Sequence, residues 1–319
     1  MSRKCGYIAL LGRPNAGKST LLNACLEAKI SVVSAKPQTT RNKIIGIYTK
    51  DETQFLFLDT PGMHKSDNMH KINKTMNRVA WSVINDSDVV CYLVDVTRGW
   101  HLDDSDYVRS MLEKSDKKFC LIATKIDKVK KDDVALVMQK IRHSFNECIE
   151  HIDYERLKNI IIGDVPMGIS GKRPEETREF KAFLDPYMPE GPWLYPEDDL
   201  TDMPQQFICG EMIREQVFRQ LGEELPYSCA VKIDIFKHEP KITRISATVI
   251  VLKETHKRMV IGAGGSRIKE IGTRAREALE KHLDRKVFLE LFVKVQEGWM
   301  DNESLIAEYA SLKDPTSGI

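Results

Sequence analysis

Positions 12–20 of the chain read GRPNAGKST, which fits the phosphate-binding pattern G-x-x-x-x-G-K-[ST]. The apolar run Gly6–Leu11 precedes it and predicts a strand, and an amphipathic helix is predicted to follow, with apolar positions at Leu21, Leu22, Cys25 and Leu26. A phosphate loop requires a strand, a glycine-rich turn and a helix in this order. The alternative is an ordinary glycine-rich turn, but the whole pattern is expected by chance in only roughly one per cent of chains of this length.

Each part of this loop has a predicted role in holding a nucleotide. The two glycines of the pattern let backbone N–H groups face the α- and β-phosphates, and Ser19 is a magnesium ligand. Lys18 is expected to be an exposed point charge that reaches the β- and γ-phosphates. The predicted nucleotide-binding residues of the loop are Gly12, Arg13, Pro14, Asn15, Ala16, Gly17, Lys18, Ser19 and Thr20.

The composition is that of an ordinary folded protein, because 42% of the 319 residues are hydrophobic and 30% are charged. No apolar run approaches the ~18 residues of a membrane-spanning helix, and the start of the chain does not resemble a signal peptide. We therefore expect a cytosolic protein. The seven cysteines form no CxxC pair, which predicts reduced thiols in the core, and the net charge of +1 excludes a strongly basic chain.

Short apolar runs alternate with longer amphipathic stretches up to about residue 171, which is typical of a doubly wound α/β sheet. The predicted strands are Gly6–Leu11, Gln54–Leu58, Asp88–Val94, Lys118–Ala123 and one near Val165–Ser170, and a helix over Pro174–Tyr187 follows them. Their continuous hydrophobicity suits strands that are buried on both faces.

A second domain is predicted after a proline-rich stretch, because residues 189–204 contain four of the thirteen prolines. Its predicted elements are a helix Phe207–Leu221, strands Ser228–Lys237 and Thr243–Lys253, a helix Ser266–Leu283 and a strand Val287–Val295, and a short helix Glu303–Leu312 lies in the tail. The predicted limits are 1–188 for the first domain, 189–204 for the linker, 205–296 for the second domain and 297–319 for the tail.

The residues DTPG at positions 59–62 close the apolar strand FLFLD. Asp59 is thereby placed at the carboxyl end of a strand beside the phosphate loop, where an outer-sphere magnesium ligand belongs. Thr60 and Pro61 complete the nucleotide-binding loop, and the Gly62 N–H is predicted to meet the γ-phosphate. Alone, the four residues fit an ordinary turn, but a phosphate loop in the same chain favours the nucleotide site.

The residues TKID at positions 124–127 follow another apolar strand and bring Asp127 to the same edge. Its carboxylate can accept from the N1–H and the N2 amine of guanine, which adenine does not offer, so we expect selectivity for guanine. Lys125 is predicted to lay its aliphatic stem along the base. The alternative is an aspartate that caps a polar loop.

These motifs, in this order and together with QTTR at 38–41, resemble those of the TrmE-Era-EngA-like GTPases, within the translation-factor-like class. The resemblance runs from about Gly6 to Val295 and implies a GTPase that binds GTP or GDP with Mg²⁺. It makes Thr39 or Thr40 the switch residue that closes on magnesium, with Gly62 and Met63 as the other switch candidates.

Three positions depart from the pattern or lack a catalytic group. Thr124 stands where the family has an asparagine that ties the base loop to the phosphate loop, which predicts weaker guanine binding. Ser170 and Gly171 replace a Ser-Ala pair that contacts the base. Met63 can neither orient water nor stabilise charge, so no catalytic base is assigned and slow intrinsic hydrolysis is expected.

The second domain contains a GxxG turn, Gly262-Ala263-Gly264-Gly265, before a helix that is rich in basic residues. Glycines without a Cβ let a sugar–phosphate backbone approach closely, as in a KH domain, and its elements resemble the α+β type II KH fold. From Lys257 to Lys286 there are nine basic and four acidic residues. The predicted RNA-binding residues are Gly262, Ala263, Gly264, Gly265, Arg267 and Lys269. The alternatives are a plain helix–helix turn and a solvated helix face.

The sequence therefore predicts a doubly wound phosphate-loop GTPase domain followed by a type II KH domain. The resemblance implies that the partner is the 3′ region of small-subunit (16S) ribosomal RNA in the assembling small ribosomal subunit, and DNA is not expected. The predicted location is the cytoplasm, and peripheral association with the cytoplasmic face of the membrane stays open. The rival functions are an ATP-dependent phosphotransferase or ATPase and an RNA-binding scaffold with a vestigial nucleotide site.

Overall fold

The structure is a computed structural model that describes residues 2–31, 43–63, 70–221 and 229–310. These residues divide into two units. The first contains residues 2–31, 43–63 and 77–202, and the second contains residues 70–76, 203–221 and 229–310. The predicted domain limits at 188 and 204 stay predictions.

The first unit is built on a six-stranded sheet with the order β2-β3-β1-β4-β5-β6. The strands are β1 Lys4–Gly12, β2 Ile44–Lys50, β3 Thr53–Asp59, β4 Val89–Asp95, β5 Lys118–Thr124 and β6 Met167–Ile169. Only the β2–β3 pair is antiparallel among these strands. Every residue of β3 and β4 is buried, which confirms the prediction of strands covered on both faces.

Helices follow these strands, as a doubly wound sheet requires. They are α1 Lys18–Leu26, α2 Lys71–Asp86, α3 Leu102–Lys114, α4 Lys131–Ile149, α5 Tyr154–Ile160 and α6 Pro174–Leu184. Local sequence sets two of their starts. His101 caps α3 in a reciprocal capping box with Asp104, and Pro174 occupies the first position of α6, where its missing N–H costs nothing.

The position of β1 determines where a ligand can bind. It lies between β3 and β4, so the chain crosses to opposite sides of β1 and leaves a crevice outside the carboxyl ends of these strands. Strands β1, β3, β4 and β5 end at Gly12, Asp59, Asp95 and Thr124, respectively. Three of the four belong to motifs that the sequence singles out.

Strand β2 was not predicted from the sequence. It is an edge strand, and Gly46 interrupts its apolar pattern, whereas glycine is normally depleted in strands. The structure supplies the reason for the glycine, because a Cβ at Gly46 would lie 2.5 Å from Cδ1 of Leu22 in helix α1. Close packing of α1 on β2 therefore requires a residue without a side chain.

The proline-rich stretch before residue 203 is hydrogen-bonded to the edge of this sheet. The Ile47 N–H donates to the Leu200 carbonyl at 2.9 Å, next to an antiparallel bridge between Gly46 and Thr201. The Gln54 side chain also donates to the Tyr195 carbonyl at 2.9 Å. The stretch thus has the composition of a linker, but up to residue 202 it is attached to the first unit.

The second unit has a three-stranded sheet with the order β7-β8-β9 and helices around it. Its elements are α7 Gln205–Gln220, β7 Ala230–His238, β8 Thr243–Val251, α8 Glu254–Ile261, α9 Ser266–Leu283, β9 Val287–Val295 and α10 Glu303–Ala310. β7 and β8 are antiparallel, and β8 and β9 are parallel. This order of helices and strands confirms the predicted type II KH arrangement.

The core of the second unit lies between the sheet and helices α7, α8 and α9. Val217, Phe218, Val249, Val260 and Ile271 are completely buried there. The resemblance to a KH fold implied a helix before the GxxG turn, but the sequence pattern gave no bounds for α8, because its eight residues, ETHKRMVI, are too few and too polar to show a clear periodicity.

Candidate nucleotide and RNA sites

The phosphate loop turns between β1 and α1 through backbone conformations that favour glycine. Gly12 and Gly17 have φ of 138° and 96°, and Asn15 has φ of 65°. A Cβ at Gly12 would lie 2.5 Å from the carbonyl oxygen of Leu93. Helix α1 begins at Lys18, so the positive end of its dipole adjoins the loop.

Lys18 lies inside the loop. Its Nζ donates to the carbonyl oxygens of Gly12 and Arg13, each at 3.0 Å, and the residue is 6% exposed. The expectation that Lys18 is an exposed point charge is therefore wrong, because the carbonyl groups of the loop surround the ammonium and satisfy its donors. Burial lowers the pKa of Lys18 to about 8, although the nearby Asp59 carboxylate acts in the opposite direction.

Asp59 is completely buried and accepts two hydroxyl hydrogen bonds. Ser19 Oγ and Ser31 Oγ each donate to Oδ2 of Asp59 at 2.7 Å. A hydroxyl and a carboxylate are oxygen donors of the kind that Mg²⁺ prefers, so the residues present fit a magnesium ion. The sequence did not identify Ser31, whose contact depends on how the chain returns after α1. Thr39 and Thr40 lie outside the described residues.

The loop after β3 is fastened to β1 and packs against the phosphate loop. Thr60 Oγ1 donates to the Leu10 carbonyl at 2.9 Å, so its hydroxyl contacts the strand. Pro61 is buried, and a Cβ at Gly62 would lie 2.7 Å from the Cα of Pro14. The structure therefore brings the two predicted loops together, and only glycine fits at their closest approach.

Met63 belongs to the core of the first unit. The residue is 1% exposed and packs within the hydrophobic core cluster, and its N–H donates to the Gly12 carbonyl at 3.2 Å. A buried thioether offers neither a general base nor a donor for an attacking water. Slow intrinsic hydrolysis thus stays a prediction that this placement supports.

The base loop is joined to the phosphate loop by two side chains. Thr124 Oγ1 donates to the Ala16 carbonyl at 2.6 Å. Lys125 Nζ donates to the Asn15 carbonyl at 2.6 Å and to Oδ2 of Asp95, also at 2.6 Å. The hydroxyl of Thr124 therefore makes a link between the loops, and its effect on guanine affinity stays a prediction.

The sequence reasoning missed Asp95. It closes the apolar strand VVCYLVD in the way that Asp59 closes FLFLD, so a signal was present. Asp95 is 5% exposed, and its Oδ1 accepts from the N–H and the hydroxyl of Thr97 at 2.9 and 2.7 Å. Burial raises the pKa of Asp95, but the bonds from Lys125 and Thr97 outweigh it and leave the pKa lowered.

Asp127 and Ser170 come together as the motifs predict. Ser170 Oγ donates to Oδ1 of Asp127 at 2.7 Å, and Lys172 Nζ lies 3.5 Å from Oδ2. Burial raises the pKa of Asp127, but the Ser170 bond and the Lys172 charge outweigh it, so the carboxylate is ionised at neutral pH. Gly171 adjoins the phosphate-loop helix, because a Cβ there would lie 3.2 Å from the Thr20 carbonyl oxygen.

Arg13 turns toward α3. Its guanidinium lies 3.7 Å from Oδ2 of Asp104, and the Tyr92 hydroxyl donates to Oδ1 of the same carboxylate at 2.8 Å. Burial raises the pKa of Asp104, although the bond from Tyr92 opposes the shift. The predicted contact of Arg13 with the nucleotide stays a prediction.

The GxxG turn joins α8 to α9. Gly262, Gly264 and Gly265 all have positive φ, of 74°, 58° and 79°. A Cβ at Gly264 or Gly265 would meet no atom within 4 Å, and Ala263 is exposed, so the turn has open space around it. A nucleic-acid backbone can approach such a turn closely.

Part of the basic charge beside this turn is already paired. Arg267 donates to the Met259 carbonyl at 2.9 Å, and Arg274 pairs with Glu270 at 2.7 Å. Lys269 is exposed on the first turns of α9. The positive charge that the sequence counts is thus only partly available to a phosphate.

Three further features of the described residues bear on function. All seven cysteines are free and six are buried, which confirms the prediction of core thiols. Within the described ranges, no group of three or more His, Cys, Asp or Glu side chains could hold a metal ion. None of the described helices has the length and apolar character needed to cross a bilayer.

Two family profiles match the chain. A profile described as 50S ribosome-binding GTPase matches residues 7–125, and a KH-domain profile matches residues 224–300. The first match contains the phosphate loop, DTPG and the start of the base loop. The second contains the GxxG turn.

Curated relatives match nearly the whole chain. GTPase Era of Coxiella burnetii is 38% identical over 304 residues, which are 95% of this chain and 97% of the relative. GTPase Era of Haemophilus influenzae is 42% identical over 301 residues, or 94% of this chain and 93% of the relative.

Solved structures match to the same extent. Era in complex with MgGDPNP and nucleotides 1506–1542 of 16S ribosomal RNA superposes with a TM-score of 0.85 at 34% identity, over 96% of this chain and 98% of that one. An Aquifex aeolicus Era variant bound to GDP·AlF4⁻ gives the same values.

Proposed function

The chain belongs to the Era family of GTPases, and on that premise we propose that it binds the 3′ region of small-subunit ribosomal RNA through its KH unit, in the assembly of the small ribosomal subunit. The observation that supports the nucleotide part of this function is that a phosphate loop and an ionised Asp127, held 2.7 Å from Ser170 Oγ, share one edge of the sheet. That edge can read a phosphate chain and a guanine together. The observation that supports the RNA part is the open GxxG turn of the KH unit.

We assign the phosphate-binding roles from the positions of the side chains. Lys18 and the N-terminus of α1 supply positive charge for the β- and γ-phosphates. Ser19 and Asp59 would hold Mg²⁺, which when bound neutralises charge on the phosphate oxygens. We assign detection of the γ-phosphate to the N–H of Gly62, and the close approach of this residue to Pro14 of the phosphate loop supports the assignment.

Hydrolysis in this site depends on positioning rather than on a catalytic base. Met63 is buried in the core, so the usual place for a water-orienting side chain is apolar. A slow intrinsic rate of GTP hydrolysis follows. A partner that orders water beside the γ-phosphate would raise that rate.

RNA binding is assigned to the KH unit. The similar structure that holds nucleotides 1506–1542 of 16S ribosomal RNA is Era, and this chain has the GxxG turn and basic helix of a KH unit. We propose that the RNA backbone passes over residues 262–265 and that Arg267 and Lys269 contact its phosphates. The proposed location is the cytoplasm, and peripheral membrane association stays a prediction.

The nucleotide test compares GTP with ATP by calorimetry on the full chain in the presence of Mg²⁺. Adenine leaves the Asp127 carboxylate without the two donors that guanine offers, so the affinity for ATP should be at least about a hundredfold lower than that for GTP. Equal affinity for the two nucleotides would favour the phosphotransferase, and no binding of either would favour the scaffold. Lys18→Ala should abolish GTP binding, and circular dichroism checks that the variant is folded, because the buried Lys18 also bonds two carbonyls of the loop.

The RNA test uses Ala263→Asp. This change puts a negative charge into the turn where the RNA phosphates should lie, at an exposed position with no positive φ, so the fold is not strained. We expect RNA affinity to fall at least about tenfold while GTP affinity is unchanged. The matched control is Ala307→Asp on α10, which makes the same charge change at another exposed alanine of the unit.

Replacing Gly262 and Gly265 by aspartate should reduce RNA binding further. Both residues have positive φ, and a Cβ at Gly262 would lie 2.7 Å from the Cβ of Arg267, so this variant is also expected to unfold more easily. Unchanged RNA binding by Ala263→Asp, in a protein that is shown to be folded, would make the turn purely structural.

A further inference from the structure

We propose that Asp95 is a positioning residue that, by holding Lys125 against the phosphate loop, does part of the work of the asparagine that Thr124 replaces and so sets how long a guanine nucleotide stays bound. The proposal rests on the proposed guanine site. It adds a residue outside all the nucleotide motifs of the chain.

Thr124 can donate only one hydrogen bond from its side chain. Its Oγ1 lies 2.6 Å from the Ala16 carbonyl and 3.2 Å from the Val94 carbonyl. A hydroxyl has one hydrogen to donate, whereas an asparagine amide has two donors and an acceptor. The shorter distance assigns this hydrogen to Ala16, so Thr124 supplies a single neutral link from the base loop to the phosphate loop.

Lys125 makes a second link between the base loop and the phosphate loop. This residue has φ of 61°, and its Nζ donates both to the Asn15 carbonyl and to Oδ2 of Asp95, each at 2.6 Å. The ammonium therefore bridges the end of β4 and the phosphate loop. Hydrogen bonds with a charged donor are about twice as strong as neutral ones, so the bond from Lys125 to Asn15 is stronger than the bond from Thr124 to Ala16.

The Asp95 side chain is itself held in place by hydrogen bonds. The residue is 5% exposed, and its second oxygen accepts from both the N–H and the hydroxyl of Thr97. A carboxylate that is fixed at both oxygens determines the direction of the Lys125 side chain. The aliphatic stem of that lysine is the part that we expect to lie along the base, so Asp95 acts on the nucleotide through Lys125.

Among the residues that the structure describes, two side-chain links therefore join the base loop to the phosphate loop, and Asp95 controls the stronger one. Removing the charge of Asp95 should release Lys125 and let the base loop separate from the phosphate loop more often. Because a bound nucleotide has to leave between these loops, the release rate should rise. The association rate should change little, since the phosphate loop is untouched.

The test measures the release of a fluorescent GDP analogue from the full chain with Mg²⁺ present. Asp95→Asn keeps the size of the side chain and removes its charge, and we expect release about tenfold faster than in the wild type. The matched control is Asp88→Asn at the opposite end of β4. Asp88 also accepts a backbone hydrogen bond, from the Tyr7 N–H at 2.8 Å, but lies away from the site, so release should be unchanged.

A second variant separates positioning from a general loss of structure. Adding Thr124→Asn to Asp95→Asn restores the amide of the family, and we expect release to return to within about threefold of the wild type. A general structural defect would not be corrected by this change. The unfolding temperature of each variant is measured alongside as a check on the fold.

Two results would overturn the proposal. One is a wild-type release rate in Asp95→Asn, and the other is accelerated release that Thr124→Asn does not reduce. If the wild type itself binds no guanine nucleotide, the proposed function fails first, and that outcome is seen before any variant is compared.

Discussion

Nucleotide binding should take up a proton at alkaline pH, and Lys18 is the group that we expect to bind it. Burial lowers the pKa of this lysine from 10.5 to about 8. Phosphate oxygens placed beside the ammonium favour its charged form, so a bound nucleotide should return the pKa toward its ordinary value. We therefore vary the pH and follow proton uptake and affinity when GDP binds.

The size of the effect follows from these two pKa values. A lysine with a pKa of about 8 is about 10% neutral at pH 7, about half neutral at pH 8 and about 90% neutral at pH 9. Proton uptake should therefore rise from about 0.1 to about 0.5 and then to about 0.9 per bound GDP. The affinity for GDP should correspondingly be about tenfold weaker at pH 9 than at pH 7.

The measurement is calorimetry of GDP binding in two buffers that differ in their heat of ionisation, repeated at each pH. The control is Lys18→Arg, because a guanidinium stays protonated over this range, so the variant reports the protons exchanged by the nucleotide and by all other groups. Equal uptake by the wild type and this variant at pH 8 and 9 would show that Lys18 keeps an ordinary pKa, and the reasoning from burial would be wrong.

Three further predictions concern the base, the γ-phosphate and the RNA. Asp127→Asn should shift binding from guanine toward xanthine nucleotides, since an amide can donate to the 2-oxo group, and a variant that still prefers GTP to XTP in competition assays would refute the base assignment. Gly62→Ala should lower the affinity for GTP more than that for GDP, because its Cβ would lie 2.7 Å from the Cα of Pro14 and so move the N–H that is proposed to meet the γ-phosphate. Equal loss of affinity for both nucleotides by calorimetry would contradict a γ-phosphate sensor. Lys269→Glu should weaken RNA binding and lower its salt dependence, whereas an unchanged slope of affinity against salt would exclude a phosphate contact.

The sequence was most informative where a property is local. Gly12 and Gly17 mark the turns of the phosphate loop, and both have the positive φ that such a turn requires. The apolar strings before Asp59 and Thr124 are strands that end at one edge of the sheet, as their composition predicts. These features can be predicted from the chain alone, because neighbouring residues determine backbone preference and periodicity.

The same dependence on neighbouring residues explains which elements were missed. Strand β2 contains Gly46, which is unfavourable by composition and is required only because Leu22 of another element packs against it. Helix α8 is too short to show a period, so only the resemblance to a KH fold implied it and its bounds were not predicted. The proline-rich stretch looks like a free linker, yet Leu200 accepts a hydrogen bond from Ile47 of the edge strand, about 150 residues earlier in the chain.

By itself, the sequence determined the family, the two folds and the position of each nucleotide motif. Only the tertiary structure decided that Lys18 is buried, that Ser31 reaches Asp59 and that Asp95 holds Lys125. Burial and hydrogen bonding at these positions depend on which distant segments pack together, and no local pattern records that. The electrostatics of the site therefore had to come from the folded chain, because a charge is shifted by what surrounds it in space.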